Sequence, residues 1–168
     1  MTQQLFILTG ASRGMGLAMA QQLLQPGHTL ICMARNSNSQ LTAAVPAGAM
    51  LEQWTVDLSE PAPAAQQLHA WLAGQSAGRY ASATLINNAG VIPRIAPLSA
   101  CASAQDMADQ ARALRVGLEA PMLLTAAFLG ATEGWGAPPH AVARKVLNIS
   151  SGLGRRAMAS QAAYCAAK

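Results

Sequence analysis

Short apolar runs rich in strand formers alternate along this chain with longer stretches whose apolar residues recur three and four positions apart. The first run, LFILT at 5–9, leads at once into GASRGMG. After it, Met15, Ala18, Met19, Gln22 and Leu23 keep helical spacing until Pro26 and Gly27 end it. HTLICMA at 28–34 and MLEQWTV at 50–56 predict the second and third strands. Ala64 to Leu72 predicts a helix behind Pro61 and Pro63, ending near Gly74. ATLIN at 83–87 and KVLNIS at 145–150 predict strands four and five. Between them, 103–129 reads as one long helix that Pro121 kinks. The Pro- and Gly-rich stretch 130–139 reads as a loop, and no internal repeat is visible.

Strands of five or six residues, apolar on both faces and joined by helices, specify a parallel sheet covered on both sides. The right-handed crossover rule then gives a doubly wound, Rossmann-like α/β fold, expected as one domain over 1–168. In that architecture ligands sit beyond the carboxyl ends of the strands, at the point where the strand order reverses.

Composition narrows the function. Apolar residues make up 52% of the 168 and charged ones 11%, enough to bury a core and too apolar for disorder. The net charge of +4 comes from scattered arginines, with no basic run interleaved with aromatics, so a nucleic-acid partner is not expected. Cys32, Cys101 and Cys165 lie far apart without CxxC spacing, which suggests free thiols in a reducing compartment. His28, His69 and His140 are equally dispersed, so no metal site is expected. No leader pattern follows Met1 and no apolar segment approaches membrane-spanning length. The expectation is a cytoplasmic protein without a membrane partner.

The chemistry begins at TGASRGMG, where Gly10, Gly14 and Gly16 fall between the first strand and the first helix. Glycine permits the tight turn and lets backbone approach a pyrophosphate. The helix N-terminus adds free N–H groups and the positive end of its dipole. The chain also closes on YCAAK, which sets Tyr164 and Lys168 four apart on one helical face.

The glycine spacing, Gly-x-x-x-Gly-x-Gly after Thr9, resembles the short-chain dehydrogenase/reductase family. Three further stretches carry the same resemblance: NNAG at 87–90, NISSG at 148–152, and the Tyr-x-x-x-Lys of YCAAK with Ser151 thirteen residues before Tyr164. The fourth strand and the AYC before the final lysine look most like the bacterial benzil- and sepiapterin-reductase-like branch. The resemblance implies a nicotinamide cofactor held by Gly10, Ser12, Arg13, Gly14, Met15 and Gly16 of the loop. Arg35, Asp57, Leu58, Asn88, Ala89, Gly90, Tyr164 and Lys168 would complete its contacts. It also implies Ser151, Tyr164 and Lys168 as the catalytic set, a small-molecule carbonyl substrate, and a homodimer or homotetramer when the protein is complete.

Cofactor choice rests on charge. An NAD-preferring site places an acid at the end of the second strand to accept from the ribose hydroxyls. That position is Ala34 here, followed by Arg35, with Arg13 inside the loop. Two guanidinium groups and no carboxylate suit a 2′-phosphate, so NADP(H) is expected rather than NAD(H). Asp57 matches the family's adenine contact, and on its own would read equally as a helix cap.

In the chemistry implied, Tyr164 delivers a proton to the forming alkoxide. A free phenol, with a pKa near ~10, is a poor acid–base group at neutral pH. A lysine ammonium one turn away favours the phenolate. By resemblance, Lys168 also holds the nicotinamide ribose and Ser151 hydrogen-bonds the substrate oxygen, with Ser150 as its neighbouring alternative. The expected function is an NADPH-dependent reductase of a small ketone or diketone. The alternative is a non-catalytic NADP-binding module or a truncated remnant of such an enzyme. One departure from the family is Gly117, where an asparagine usually anchors a relay water, and restoring asparagine is expected to leave activity similar or higher. Met107, Met122, Leu123 and Phe128 read as core or dimer-face packing, and Arg155 and Arg156 as a solvated loop. Because the catalytic pair ends the sequence, the resemblance also implies a longer polypeptide with further strands and a substrate lid that these residues lack.

Overall fold

Five parallel strands appear where the apolar runs place them. The computed structural model describes residues 3–76, 78–136 and 142–168. Its strands are β1 (Gln3–Thr9), β2 (His28–Ala34), β3 (Met50–Thr55), β4 (Tyr80–Asn87) and β5 (Ala143–Asn148), in the order β3-β2-β1-β4-β5. Every neighbouring pair is parallel, with Ile7 opposite both Ile31 and Leu85. β1, β4 and β5 begin two or three residues earlier than their apolar runs, because polar starts such as Gln3 and Gln4 still pair in the ladder. β5 also ends at Asn148, before the serines. The order reverses beside β1, so the switch point lies between β1 and β4.

Alternation along the strands divides the core. Leu5, Ile7, Ile31, Met33 and Leu85 pack with Leu68 and Leu72 of α3 (Pro61–Ala73) and with Leu124 and Phe128 of α5 (Ala120–Ala131). Leu8, Leu30, Cys32 and Ile86 face the other way, against Ala20 and Leu24 at α1 (Gly14–Leu23). Phe128 is wholly buried, and truncating it to alanine would cost about 3–5 kcal/mol.

Three helical details differ from expectation. α1 buries Gly16 and Ala20, whereas Met15 of the predicted apolar face is 57% exposed. Gly16 and Ala20 sit at the centre of the buried side, and Leu17, Met19 and Leu23 pack against the same core while partly exposed. α2 (Ser39–Ala43) was not legible in the apolar pattern. It is set by Asn38, whose side chain accepts from the N–H groups of Gln40 and Leu41 at 2.9 and 3.3 Å. The long helix divides into α4 (Ala104–Leu114), a π turn over Arg115–Glu119, and α5. Proline has no N–H for the carbonyl four residues back, here that of Gly117, so the irregularity falls in the turn before Pro121.

Ala104–Ala131 is nevertheless one helical run of 28 residues with a window of mean hydropathy 1.3, so a segment of membrane-spanning length and apolarity does exist. The charged residues scattered through its first half hide that length from a reading by apolar runs. Val116, Ala120, Leu124 and Phe128 from this run are buried in the protein core. Met107 and Met122 project outward, 59% and 62% exposed, while Leu123 is partly buried against the core. Gly130 and Ala131 belong to α5 rather than to a loop, and Glu133–Gly136 forms a short 3₁₀ turn. Positions 137–139 of the expected loop, and His140, lie outside the described residues. The last helix, α6, spans Ala162–Ala167.

Candidate functional site

Thr9 clamps the two strand ends that flank the switch point. Its buried Oγ1 accepts from the N–H groups of Asn88 and Ala89, both at 3.0 Å, while Asn88 Nδ2 donates to Thr9 O at 3.0 Å. The glycine loop is then pressed against Asn88. A Cβ on Gly16 would run into Gly10 O and come within 2.7 Å of Asn88 Nδ2. Gly10 and Gly14 turn through φ +72° and +56°, the left-handed region that a side chain strains. Arg13 at the N-cap of α1 makes no side-chain hydrogen bond to the helix, and the first turn holds no acid. The free N–H groups and positive dipole end therefore remain available beside the loop.

These pieces enclose a groove of ≈ 350 Å³ beyond the strand ends. Gly10, Ser12, Arg13, Gly14, Met15 and Gly16 line it from the loop, Arg35 from the end of β2, and Asp57 and Leu58 from the end of β3. Asn88, Ala89 and Gly90 line it from the turn after β4. The twelve positions singled out in these four segments thus meet in one cavity. Asp57 Oδ1 accepts from Ser59 N–H at 2.9 Å and Ser59 Oγ–H at 2.8 Å. Those bonds, with lesser help from the Arg112 and Arg35 guanidinium groups, hold its carboxyl below the usual range. Asp57 caps its own turn, and the N-cap of α3 is Glu60.

A second cavity, ≈ 600 Å³, opens between β4, β5, α5 and α6, and is lined by Asn87, Gly117, Thr125, Asn148, Ser150 and Lys168 among others. Asn87 Nδ2 donates to Asn148 Oδ1 at 2.8 Å, whereas Asn87 Oδ1 is buried with no partner among the described residues. Lys168 Nζ donates to Ile149 O at 2.9 Å and would lie 3.3 Å from a Cβ on Gly90, so it reaches toward the first groove. Burial pushes its ammonium pKa down. Ser150 Oγ donates to Lys168 O at 2.7 Å. Ser151 Oγ accepts from Leu153 N–H at 3.2 Å, which caps the turn Gly152–Gly154.

Tyr164 sits half-buried on α6, with Lys168 just past the helix end. The first groove therefore gathers the loop and strand-end residues, the second holds Lys168, and Ser151 and Tyr164 line neither. Arg155 and Arg156 are exposed.

The sequence profile of the short chain dehydrogenases matches residues 4–168. The chain belongs to the short-chain dehydrogenase family. It is 31% identical to a benzil reductase ((S)-benzoin forming) of Bacillus cereus over 96% of its own length and 62% of that protein's. The chain thus spans less than two thirds of that curated relative. Among solved structures, a short-chain dehydrogenase/reductase from Burkholderia vietnamiensis superposes with TM-score 0.77 at 35% identity, covering 99% of this chain and 74% of the other. A metagenomic short-chain oxidoreductase in complex with NADP superposes with TM-score 0.74 at 31% identity, covering 99% and 70%.

Within this short-chain dehydrogenase, sequence reasoning missed several residues of the groove. Met33 and Val56 flank the strand ends, Val91 follows the NNAG turn, and Arg112 and Val116 sit one helical turn apart on α4 and the π turn. The four-residue spacing of Arg112 and Val116 placed them on one helix face, but nothing in the sequence gave the direction of that face. The residues present fit a dinucleotide: an uncapped helix N-terminus, a cradle that a Cβ at Gly16 would fill, and arginines where β2 ends without an acid.

Proposed function

We propose that the groove holds NADP(H) and that the protein is a carbonyl reductase, transferring hydride between the nicotinamide and a small ketone or diketone. The observation that carries this reading is the lining of the groove at the end of β2, where Ala34 stands in place of an acid and Arg13 and Arg35 supply guanidinium groups. A carboxylate there would accept from ribose hydroxyls, and two arginines instead favour a ribose phosphate. The likeness to a benzil reductase and to an NADP complex supports the same reading.

In this proposal the loop N–H groups and the α1 N-terminus hold the pyrophosphate. Arg13 and Arg35 take the 2′-phosphate, Asp57 and Leu58 flank the adenine, and Asn88, Ala89 and Gly90 line the path onward. When bound, the nicotinamide supplies the hydride. Ser151 Oγ accepts from Leu153, which leaves its O–H free to donate to a carbonyl oxygen. Tyr164 donates the proton to that oxygen as charge develops on it, and the Lys168 ammonium one turn along favours the phenolate left behind. The outward apolar residues Met107, Leu114, Leu118 and Met122 of the α4–α5 run support self-association through that face.

The test is to follow NADPH absorbance with the purified protein and a panel of diketones, aldehydes and quinones. Turnover that is abolished by Tyr164→Phe, with NADPH binding kept, is the expected result. Tight NADPH binding with no turnover of any carbonyl would sink the reductase reading and leave a binding module.

A further inference from the structure

In the sequence Arg112 is one of nine scattered arginines, yet in the fold it lines the groove. It rides on α4, whose continuation through Val116 into α5 covers the face of the sheet opposite α1. It therefore approaches the cavity from the wall facing Arg13. An arginine in the last turn of a helix is ordinarily explained by the terminal carbonyls it satisfies. That explanation fails here, because α4 does not end: Arg115 N–H donates to Ala111 O and Arg112 O, and the helix continues through the π turn into α5.

Among the described residues the guanidinium also forms no hydrogen bond or ion pair, and its charge reaches Asp57 only at longer range. The ion pairs among those residues are Arg94 with Asp106 and Arg115 with Glu60. Asp57, the one carboxylate that lines the groove among the described residues, turns Oδ1 to Ser59 and forms no ion pair with either neighbouring arginine. Three guanidinium groups thus face the cavity against one carboxylate. The α1 N-terminus already serves a pyrophosphate, so the excess of positive charge asks for a further anion on the ligand.

We propose that Arg112 is a third phosphate-binding group of this groove, closing on the 2′-phosphate of the adenosine from the α4 side. The inference rests on the NADP(H) reading above and adds to it a residue outside the glycine loop and the β2 end. A guanidinium on the helical wall opposite Arg13 and Arg35 would hold the phosphate between two layers of the fold, so that 2′-phosphate binding is coupled to the packing of α4.

Calorimetric titration with adenosine 2′,5′-bisphosphate and with 5′-AMP tests the assignment without requiring catalysis. Arg112→Met, which keeps the apolar stem and removes the charge, should weaken the bisphosphate about tenfold or more and leave 5′-AMP within about twofold. Arg112→Lys should recover part of the loss, because a point charge binds phosphate without the fork. An unchanged bisphosphate affinity in Arg112→Met, or an equal weakening of both nucleotides, would overturn the phosphate role. Failure of the unsubstituted protein to bind either nucleotide would instead remove the cofactor reading on which the proposal stands. Unchanged thermal midpoints of both variants confirm that the comparison is between folded proteins.

Discussion

Gly117 and Ala167 are packed so closely that a Cβ on Gly117 would come within 2.7 Å of the Ala167 Cβ. The glycine is where the π turn touches α6, the helix that carries Tyr164. The family's usual asparagine would not drop into this position, contrary to what the sequence suggests, because Ala167 has no flexible end to move aside. Gly117→Asn should destabilise by about 1–3 kcal/mol through overpacking, lowering the thermal midpoint by roughly 2–4 °C per kcal/mol. Adding Ala167→Gly should restore part of it. A Gly117→Asn variant with an unchanged midpoint would show that α6 shifts at little cost.

Gly16→Ala tests the cradle directly. The added methyl meets Gly10 O and Asn88 Nδ2, both fixed by the Thr9 clamp, so the loop must open. NADPH binding measured by fluorescence titration should fall at least a hundredfold, about 2.7 kcal/mol. Gly14→Ala meets no neighbour and is strained only by its φ of +56°, so its cost is chiefly in stability, about 1–2 kcal/mol. Equal effects of the two substitutions on NADPH affinity would contradict the close-approach role of Gly16.

Much of this was written in the sequence because apolar period and glycine position are local signals. The five strands announce themselves as apolar runs, and the glycine loop, Arg35, Asp57 with Leu58, and NNAG all come at strand ends, so twelve predicted positions meet in one groove. Ser151 of NISSG and Tyr164 lie outside it. What was not legible depends on packing direction. Met19 and Leu23 of the predicted α1 face do pack on the core, but the fully buried positions at its centre are Gly16 and Ala20, which carry little hydrophobic weight in the sequence. Arg112 looked like any surface arginine because a helix face has no direction until its neighbours are placed. The contact between Gly117 and Ala167 joins segments fifty residues apart, and only the fold brings them together.

Arg94 and Asp106 tie the segment after NNAG to α4, with Arg94 Nη1 3.1 Å from Asp106 Oδ2 and Ser103 Oγ donating to the same oxygen at 2.7 Å. The Ser103 hydroxyl first, and Arg94 with it, hold the Asp106 carboxyl below its ordinary range. A depressed carboxyl contributes stability that is complete above the unfolded value, near ~3.9, and is lost as pH falls through the folded value. Wild-type thermal midpoints should therefore fall more steeply below about pH 4 than those of Asp106→Asn, which starts lower at neutral pH. Parallel curves would mean that the pair is not coupled to folding.

The three thiols should separate by burial. Cys32 is enclosed on the α1 face of the sheet, and desolvation pushes its pKa up to about 12. Cys165 is partly exposed beside Met158. A thiol reagent at pH 8 should label Cys165 first, leaving Cys32 unmodified until the protein is denatured. Early labelling of Cys32, mapped by peptide mass, would show that the core opens on the labelling timescale.

The central claim is that the groove is built for a 2′-phosphorylated dinucleotide, and paired titrations with NADPH and NADH test it most directly. The account predicts that NADPH binds at least tenfold more tightly, and that Arg35→Ala erodes this preference by about tenfold, ~1.4 kcal/mol, while NADH affinity stays within about twofold. Equal affinities for the two cofactors in the unsubstituted protein, or a preference for NADH, would contradict it.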